Sequence, residues 1–241
     1  PLLVPKLPEE MELIGYNLTK PSSVIKDSDF GLRYSKFYQG WDLTFNYLYH
    51  YLDSPINYQF IEQNLVVINA NYERNHLLGG TASKAFGDFT LRAEIGYSSD
   101  SFHFIDNLSA AFTVKQGVHN SADISSVIGL DWLGLTNTMV SLQWFQSYLL
   151  DNDPGLIRSQ NDHSLSLMYT QSFENEVWEF KTLILHGLDL DDGSIQSKLN
   201  YMLESNIKLW IGTDIFYGNK LGLFGQFKET DRINFGIEWG F

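Results

Sequence analysis

The 241-residue chain contains no cysteine. This absence excludes disulfide frameworks, thiolate zinc sites, iron–sulfur clusters and cysteine nucleophiles. Positive charge is also scarce, because 16 lysines and arginines stand against 29 aspartates and glutamates, for a net charge of -13 and a pI of about 4.7. The sequence therefore lacks the overall basic footprint of a nucleic-acid-binding protein, and we expect no nucleic-acid partner.

Helical signals are missing as well. The sequence has no apolar run of the length that a membrane-spanning helix requires, and no stretch with a sustained period of 3.6 residues. It opens PLLVPKLPEE, without the basic n-region and apolar h-region of a signal peptide. With 44% hydrophobic and 15% aromatic residues, however, the chain is too apolar to be disordered.

Alternation of apolar and polar residues is the dominant pattern. In the last ten residues, every odd position from Ile233 to Phe241 is large and apolar, and every even position is charged, polar or glycine. A period of two predicts β-strands with one apolar face and one polar face. The pattern predicts about eleven strands, near residues 28–38, 41–51, 64–86, 88–98, 123–133, 136–149, 162–172, 177–187, 194–204, 207–217 and 231–241.

The lengths of strands and loops together predict the fold class. Globular strands average about 5–6 residues, whereas the predicted strands approach the roughly 9–11 residues of a tilted transmembrane strand. Short turns are expected at 38–40, 86–88, 134–135, 173–175 and 205–206. Longer polar stretches alternate with them, at 52–63, 99–122, 150–161, 188–193 and 218–230. Outer-membrane barrels have this asymmetry, so we predict an all-β, antiparallel transmembrane β-barrel with about 11–12 strands.

Strand parity predicts the domain organisation. Bacterial barrels normally have an even strand number and end on the periplasmic side. Counting back from Phe241, the strand near Phe30 would run from outside to inside. We therefore expect residues 1–27 to be an extracellular loop or N-terminal segment and residues 28–241 to form the strands of the C-terminal part of a larger barrel. A complete twelve-stranded barrel is the alternative.

The last strand carries a targeting pattern. Apolar residues at steps of two lead to an aromatic terminal residue: Ile233, Phe235, Ile237, Trp239 and Phe241. This pattern resembles the C-terminal strand of Gram-negative outer-membrane proteins, which the barrel-assembly machinery recognises. The resemblance implies a bacterial outer-membrane location, in contact with membrane lipid and lipopolysaccharide.

Four further segments resemble an uncharacterised family of proteobacterial outer-membrane β-barrel proteins encoded beside exporters of the resistance–nodulation–division type. They are SDFGLRYS (28–35), LLGGTASKAFGDFTLRAEIGY (77–97), VIGLDWLGLTNTMVSLQWFQSY (127–148) and FGQFKETDRINFGIEW (224–239). The resemblance implies the fold, the location and the export of hydrophobic compounds or lipids, together with a periplasmic or inner-membrane exporter. The family offers no established catalytic residues to transfer.

The polar faces of the predicted strands would line the barrel lumen. The charged candidates are Arg33, Asp42, Arg92, Glu94, Asp131, Glu179, Lys181, Lys198, Asp214, Arg232 and Glu238. They can form ion pairs that brace the wall, or they can form a selectivity lining for a polar permeant. Bracing is the favoured interpretation for any single residue, and a charge without a partner would favour the second.

The apolar faces predict contact with lipid. Their tryptophans lie toward strand ends or within the apolar band, at Trp41, Trp132, Trp144, Trp178 and Trp239. Aromatic side chains at the ends of membrane strands form interfacial girdles. The alternative is that the same residues fill the core of a soluble β-fold.

Motifs for catalysis or metal binding are weak. The sequence DLDDG at 189–193 is a weak Ca²⁺ candidate through Asp189, Asp191 and Asp192, but it lacks the EF-hand spacing, so a solvated turn is favoured. The pair His163–Ser164 invites comparison with the outer-membrane phospholipase, yet the His-x-Ser-Asn-Gly pattern is missing. We assign no catalytic residue and no cofactor, and we do not expect an enzyme.

Together these observations predict an outer-membrane channel or export conduit. The alternatives are a barrel enzyme of the lipase or protease type, a plugged structural barrel that docks a periplasmic exporter, and a secreted β-sandwich that binds ligands. The segment GLFGQF (222–227) has two interpretations, an inward constriction or an ordinary extracellular loop.

Overall fold

The computed structural model describes residues 12–62, 65–105, 117–156 and 158–240. In these ranges most of the chain is β-strand, and the helical element is one 3-10 turn at Gly225–Phe227. The first seven strands are β1 (Glu12–Thr19), β2 (Phe30–Tyr38), β3 (Trp41–Tyr51), β4 (Ile56–Glu62), β5 (Leu65–Asn71), β6 (Arg74–Phe86) and β7 (Phe89–Phe104). They are followed by β8 (Val118–Trp132), β9 (Thr138–Leu149), β10 (Asn161–Phe173), β11 (Trp178–Gly187), β12 (Asp192–Glu204), β13 (Ile207–Gly218) and β14 (Arg232–Trp239). The described part of the chain has no helix long and apolar enough to cross a membrane.

Eleven of the strands form one antiparallel sheet. Its order is β14-β13-β12-β11-β10-β9-β8-β7-β6-β3-β2, so each strand pairs with the next strand of the same sheet along the chain. The longest of these strands, β7, has 16 residues. The predicted fold class, all-β and antiparallel with the long strands of a transmembrane barrel, is confirmed. Among the described residues no ladder joins β2 to β14, and these two strands are the edges of the sheet.

Tight turns close one end of the sheet. The β2–β3 turn consists of Gln39 and Gly40, with φ angles of 48° and 82°. Two-residue turns with positive φ at both central positions match the twist of antiparallel strands. The β6–β7 and β12–β13 connections are equally short, and the β8–β9 and β10–β11 turns contain Asn137 and Asn175 at positive φ. At the other end the connections are longer, except that residues 188–191 form a turn of four residues instead of the predicted longer loop.

The main departure from the predicted strands lies between residues 52 and 73. The predicted single strand 64–86 is two strands, β5 and β6, and the predicted loop 52–63 contains β4. β5 pairs in parallel with β1 and antiparallel with β4, forming a separate three-stranded sheet in which Val66 and Ala70 are fully buried. The prediction of a loop at 99–122 is also partly wrong, because β7 extends to Phe104 and β8 begins at Val118.

Buried apolar residues are few. In the described part of the chain they are Val66, Ala70, Val118 and Leu149, whereas many large apolar side chains of the eleven-stranded sheet are exposed. A soluble domain of this size would bury most of its large aliphatic and aromatic side chains in a common core. The exposed apolar residues of this sheet therefore do not form such a core, and their distribution between the two faces of the sheet is the relevant feature.

Candidate functional site: the polar face of the sheet

The register of the ladders defines two faces of the eleven-stranded sheet. Phe235 on β14 is paired with Ile211, and Ile211 is paired with Leu199 on β12. Directly paired residues point to the same side of a sheet, and adjacent residues of a strand point to opposite sides. We call the side that carries Phe235 the apolar face and the opposite side the polar face.

The apolar face is exposed across the whole sheet. Phe45 on β3 is 53% exposed, Leu142 on β9 is 52% exposed and Phe235 on β14 is 84% exposed. Further exposed apolar residues of this face are Phe30, Leu32, Tyr34, Ile95, Ile128, Leu130, Leu167, Ile215, Ile233 and Ile237. Soluble monomers rarely expose contiguous apolar patches larger than a few hundred Å². The face is therefore suited to contact with an apolar medium.

Aromatic residues border this apolar face at both ends of the strands. At the short-turn end they form a row of Trp41, Phe86, Phe89, Trp132, Phe173, Trp178, Tyr201 and Trp239, in which neighbouring ring centroids lie 4.5 Å apart for Trp178–Tyr201 and 6.0 Å apart for Trp41–Phe86. At the other end, Tyr49 stacks on His76 with centroids 4.5 Å apart. Trp41 and Tyr49 are eight positions apart on β3, which corresponds to about 26 Å, close to the height of the apolar band of an outer-membrane barrel.

A lysine at the short-turn border of the apolar face extends toward its edge. The ammonium of Lys84 lies 5.2 Å from the ring centroid of Phe86 and 5.5 Å from that of Trp41. It donates a hydrogen bond of 3.1 Å to the carbonyl of Gln39 in the turn. The alkyl stem thus covers apolar surface while the charge reaches the polar end, as lysines at membrane interfaces do.

The polar face carries all eleven charged residues proposed from the sequence as lumen-lining. In the sequence they are spread over 206 positions, from Arg33 to Glu238. The pairing of the strands places all of them on one face, and they belong to β2, β3, β7, β8, β11, β12, β13 and β14. Sequence alternation placed each residue on a strand face, and the ladder register brings those faces together.

Eight of these eleven residues form ion pairs. Arg92 Nη2 lies 2.9 Å from Asp131 Oδ1, and Arg232 Nε lies 2.6 Å from Asp214 Oδ2. The other pairs are Lys181–Glu179 at 2.9 Å and Lys198–Glu238 at 3.5 Å, and Lys208 also contacts Glu238. Asn200 and Asn234 donate hydrogen bonds to Glu179 and Asp214. In this part of the sheet the charges brace the polar face.

Arg33, Asp42 and Glu94 differ from these eight residues. They are exposed, and none of them has an ion pair or side-chain hydrogen bond with another described residue. All three lie toward the β2 edge, where Asp42 is level with Ser83 and Arg92, and Glu94 is level with Thr81 and Thr44. Their charges are therefore available to interact with solvent, ions or molecules beside the polar face.

The segment between β13 and β14 folds over the polar face. Asp192, the first residue of β12, is 4% exposed, and its Oδ2 accepts hydrogen bonds from the amides of Phe224 at 2.7 Å and Gly225 at 3.2 Å. Phe227 contacts Phe216 on the same face, with ring centroids 5.8 Å apart. The segment GLFGQF therefore lies over the polar face, and its role as a constriction stays a prediction.

A second set of contacts stabilises this segment from within. Lys220 Nζ lies 3.0 Å from Glu229 Oε1, and this ammonium lowers the pKa of the Glu229 carboxyl. The glycines are required by close packing, because a Cβ at Gly222 would lie 2.2 Å from Asp192 Cγ, and a Cβ at Gly225 would lie 1.9 Å from the Asn219 carbonyl oxygen. The segment is therefore a fixed part of the polar face.

A cavity of about 300 Å³ lies between this segment and strands β9 to β12. The apolar side chains that line it are Phe145, Leu185, Leu190, Leu223 and Phe224. Ser164, Asp162 and Asp189 contribute polar groups, and Asp189 Oδ2 accepts a hydrogen bond of 2.7 Å from the His163 amide. Asp162 belongs to no motif of the sequence, and the sequence DLDDG favours a solvated turn for Asp192. No local signal reveals either role, because Asp162 interacts with Asp189, 27 positions away, and the partners of Asp192 lie 32 and 33 positions away.

The structure separates the residues that were weak candidates for catalysis or for metal binding. His163 stacks on Trp144 at 5.6 Å on the apolar face, whereas Ser164 lines the cavity on the polar face, so this pair cannot act as a dyad. Asp189 and Asp192 bind different backbone amides, and Asp191 is 93% exposed beside His186. The described residues contain no group of three side chains placed to hold a metal ion.

The targeting pattern lies on the apolar face. Ile233, Phe235, Ile237 and Trp239 alternate along β14 and are 70% to 84% exposed. Phe241 lies outside the described residues. Recognition of this strand by the barrel-assembly machinery stays a prediction.

No protein-family model and no curated protein matches this chain. Among solved structures it is similar to the KdgM porin, with 10% identity, a TM-score of 0.36 and coverage of 88% of this chain and 92% of that one. It is also similar to the Pseudomonas putida toluene transporter TodX in two structures, with 12% identity, TM-scores of 0.40 and 0.39, and coverage of 88% of this chain and 73% and 72% of those chains. At these scores the likeness adds no weight beyond the features of the sheet itself.

Proposed function

We propose that this chain forms the wall of a channel in a bacterial outer membrane, with the apolar face toward lipid and the polar face toward the lumen. The observation that carries the proposal is the contrast between the two faces of one continuous antiparallel sheet. An exposed apolar band bordered by aromatic rows lies on one side, and eleven charged residues lie on the other.

The physical argument follows from the bilayer. A segment in hydrocarbon must satisfy its backbone hydrogen bonds internally, and antiparallel ladders do so for every interior strand of this sheet. Strands that alternate between apolar and polar residues then present lipid with one side and water with the other. The paired charges brace the lumen wall, whereas Arg33, Asp42 and Glu94 act on the permeating ions or molecules.

The cargo that we propose is a hydrophobic compound or lipid, exported through this conduit. Two features support a hydrophobic cargo: the resemblance to outer-membrane proteins encoded beside exporters, and the apolar cavity beside the polar face. A periplasmic or inner-membrane exporter would supply the cargo, and the barrel-assembly machinery would insert the barrel by recognising β14. Neither the plugged docking barrel nor the barrel hydrolase is favoured by a specific observation.

Conductance and ion selectivity in planar bilayers test the proposal. The full-length gene product should conduct, and Glu94→Gln should reduce cation selectivity because it removes an unpaired negative charge from the lumen. Arg33→Gln should change the selectivity in the opposite direction. Lys36→Gln is the matched control, since Lys36 lies on β2 but on the apolar face. Folded protein that does not conduct would overturn the proposal, as would a control variant with the same effect as Arg33→Gln.

Location is tested separately. We expect the full-length gene product in the outer-membrane fraction, with a gel mobility that shifts on boiling because a closed barrel resists detergent unfolding. Extraction without detergent would contradict the membrane location.

A further inference from the structure

The cavity beneath the segment 219–231 has the features of a ligand site. Its volume of about 300 Å³ is at the lower end of the range for small-molecule sites, and such sites are mainly apolar with a few placed polar groups. Two phenylalanines and three leucines supply the apolar lining. The cavity lies on the polar face, so a molecule that moves along that face can reach it.

The roof of this cavity is held in place without any ligand. Asp192 binds the amides of Phe224 and Gly225, and the ion pair between Lys220 and Glu229 links the two ends of the segment. A preformed cavity costs less ordering entropy when a ligand binds. Because the Asp192 carboxylate accepts these amides and is buried, it serves the roof and is not needed by a ligand.

The remaining polar groups define the charge of the ligand. Asp162 and Asp189 line the same cavity and interact with each other, while no lysine or arginine belongs to its described lining. The guanidinium of Arg158, which acts on Asp162 electrostatically, donates its hydrogen bonds to the carbonyl oxygens of Ser147 and Ser159 and to the Ser147 hydroxyl. Two neighbouring carboxylates beside apolar walls favour a cation and disfavour an anion.

We propose that this cavity binds a small cationic amphiphile, with an aromatic or branched aliphatic body against Phe145, Leu185 and Phe224 and an ammonium group at Asp162 and Asp189. The inference rests on the proposed function, because it assigns the cavity to a molecule that moves along the lumen side of the sheet. It narrows the cargo from hydrophobic compounds in general to those with a positive charge, and it excludes fatty acids and other anionic lipids from this site.

The test is equilibrium dialysis of the purified full chain in detergent against a matched pair of probes, 2-(1-naphthyl)ethylamine and 1-naphthylacetate. The two probes share an aromatic body and differ in charge. The amine should bind saturably, and the carboxylate should not. Asp189→Asn keeps an acceptor for the His163 amide but removes the charge, so it should weaken amine binding by about tenfold or more. Asp191→Asn is the matched control, because Asp191 is exposed in the same turn and does not line the cavity.

Filling the cavity provides an independent variant. Ser164→Phe should abolish saturable binding, whereas Thr213→Phe, on the apolar face, should leave it unchanged. Heat-modifiable mobility confirms that each variant is folded. Equal binding of both probes, or binding unaffected by Asp189→Asn and Ser164→Phe, would overturn the inference. A protein that conducts but does not bind the amine would contradict the proposed ligand site and leave the proposed channel intact. A protein that binds the amine but does not conduct would contradict the proposed channel.

Discussion

Asp192 is one of three aspartates in the sequence DLDDG, yet its surroundings differ from those of Asp189 and Asp191. It is buried and accepts two backbone amides from a segment more than thirty positions away, whereas Asp191 is almost fully exposed. The composition of a turn predicts exposure for all three residues. The sequence could not identify the buried one, because its partners are backbone groups whose position depends on the fold of the segment 219–231.

Asp192→Ala should release the segment 219–231 from the polar face. The substitution leaves the amides of Phe224 and Gly225 without an acceptor, at a cost of about 1–3 kcal/mol per unsatisfied group. Trypsin should then cleave the folded protein after Lys220 and Lys228 faster than it cleaves the unsubstituted protein. Asp191→Ala is the matched control and should not change the cleavage rate. Equal protection in the Asp192→Ala protein would show that the carboxylate does not hold the segment.

Single strands are the level at which the sequence is most informative. β3 occupies residues 41–51, as predicted, and β11, β13 and β14 differ from their predicted bounds by one or two residues. Alternation is a local property, so the sequence of each strand indicates which of its residues lie on the apolar face and which lie on the polar face. The prediction of a single strand over 64–86 was wrong, because only the pairing of β5 with β1 and β4 shows that β5 belongs to the smaller sheet.

Adjacent residues in the middle of β8 test the assignment of the two faces. Ile128 lies on the apolar face and is 49% exposed, and Val127 lies on the polar face opposite Glu94. Ile128→Lys should lower the free energy of unfolding in lipid vesicles by about 2–4 kcal/mol, the cost of a lysine on a lipid-facing strand near the bilayer midplane. Val127→Lys should cost less, because water and the Glu94 carboxylate can accommodate the ammonium. Urea unfolding in lipid vesicles measures both, and a larger loss for Val127→Lys would reverse the assignment of the faces.

The directions of the two edge strands determine how the eleven-stranded sheet can close into a barrel. Successive strands of an antiparallel sheet alternate in direction, so the first and the eleventh strands, β2 and β14, run the same way. Direct pairing of these two edges would be parallel. An antiparallel closure requires an odd number of further strands between them, from elsewhere in the protein or from another chain. An unpaired edge in hydrocarbon would leave backbone groups unsatisfied, at several kcal/mol for each group.

The absence of cysteine makes this geometry measurable by disulfide cross-linking. Paired residues have Cβ atoms about 4.5–5.5 Å apart, and one intervening strand increases the separation to about 9–10 Å, beyond the reach of a disulfide. Ser35→Cys with Thr44→Cys, a pair between β2 and β3, should cross-link in the outer membrane on oxidation.

Ser35→Cys combined in turn with cysteine at Arg232, Asn234, Gly236 or Glu238 should not cross-link, because β14 is not the neighbour of β2. These four positions lie on the polar face, as Ser35 does, and they cover the length of β14, so the unknown register of a direct closure does not affect the test. A disulfide between β2 and any of these positions would show that the eleven strands close on themselves through a parallel pair, and the requirement for further strands would then be abandoned.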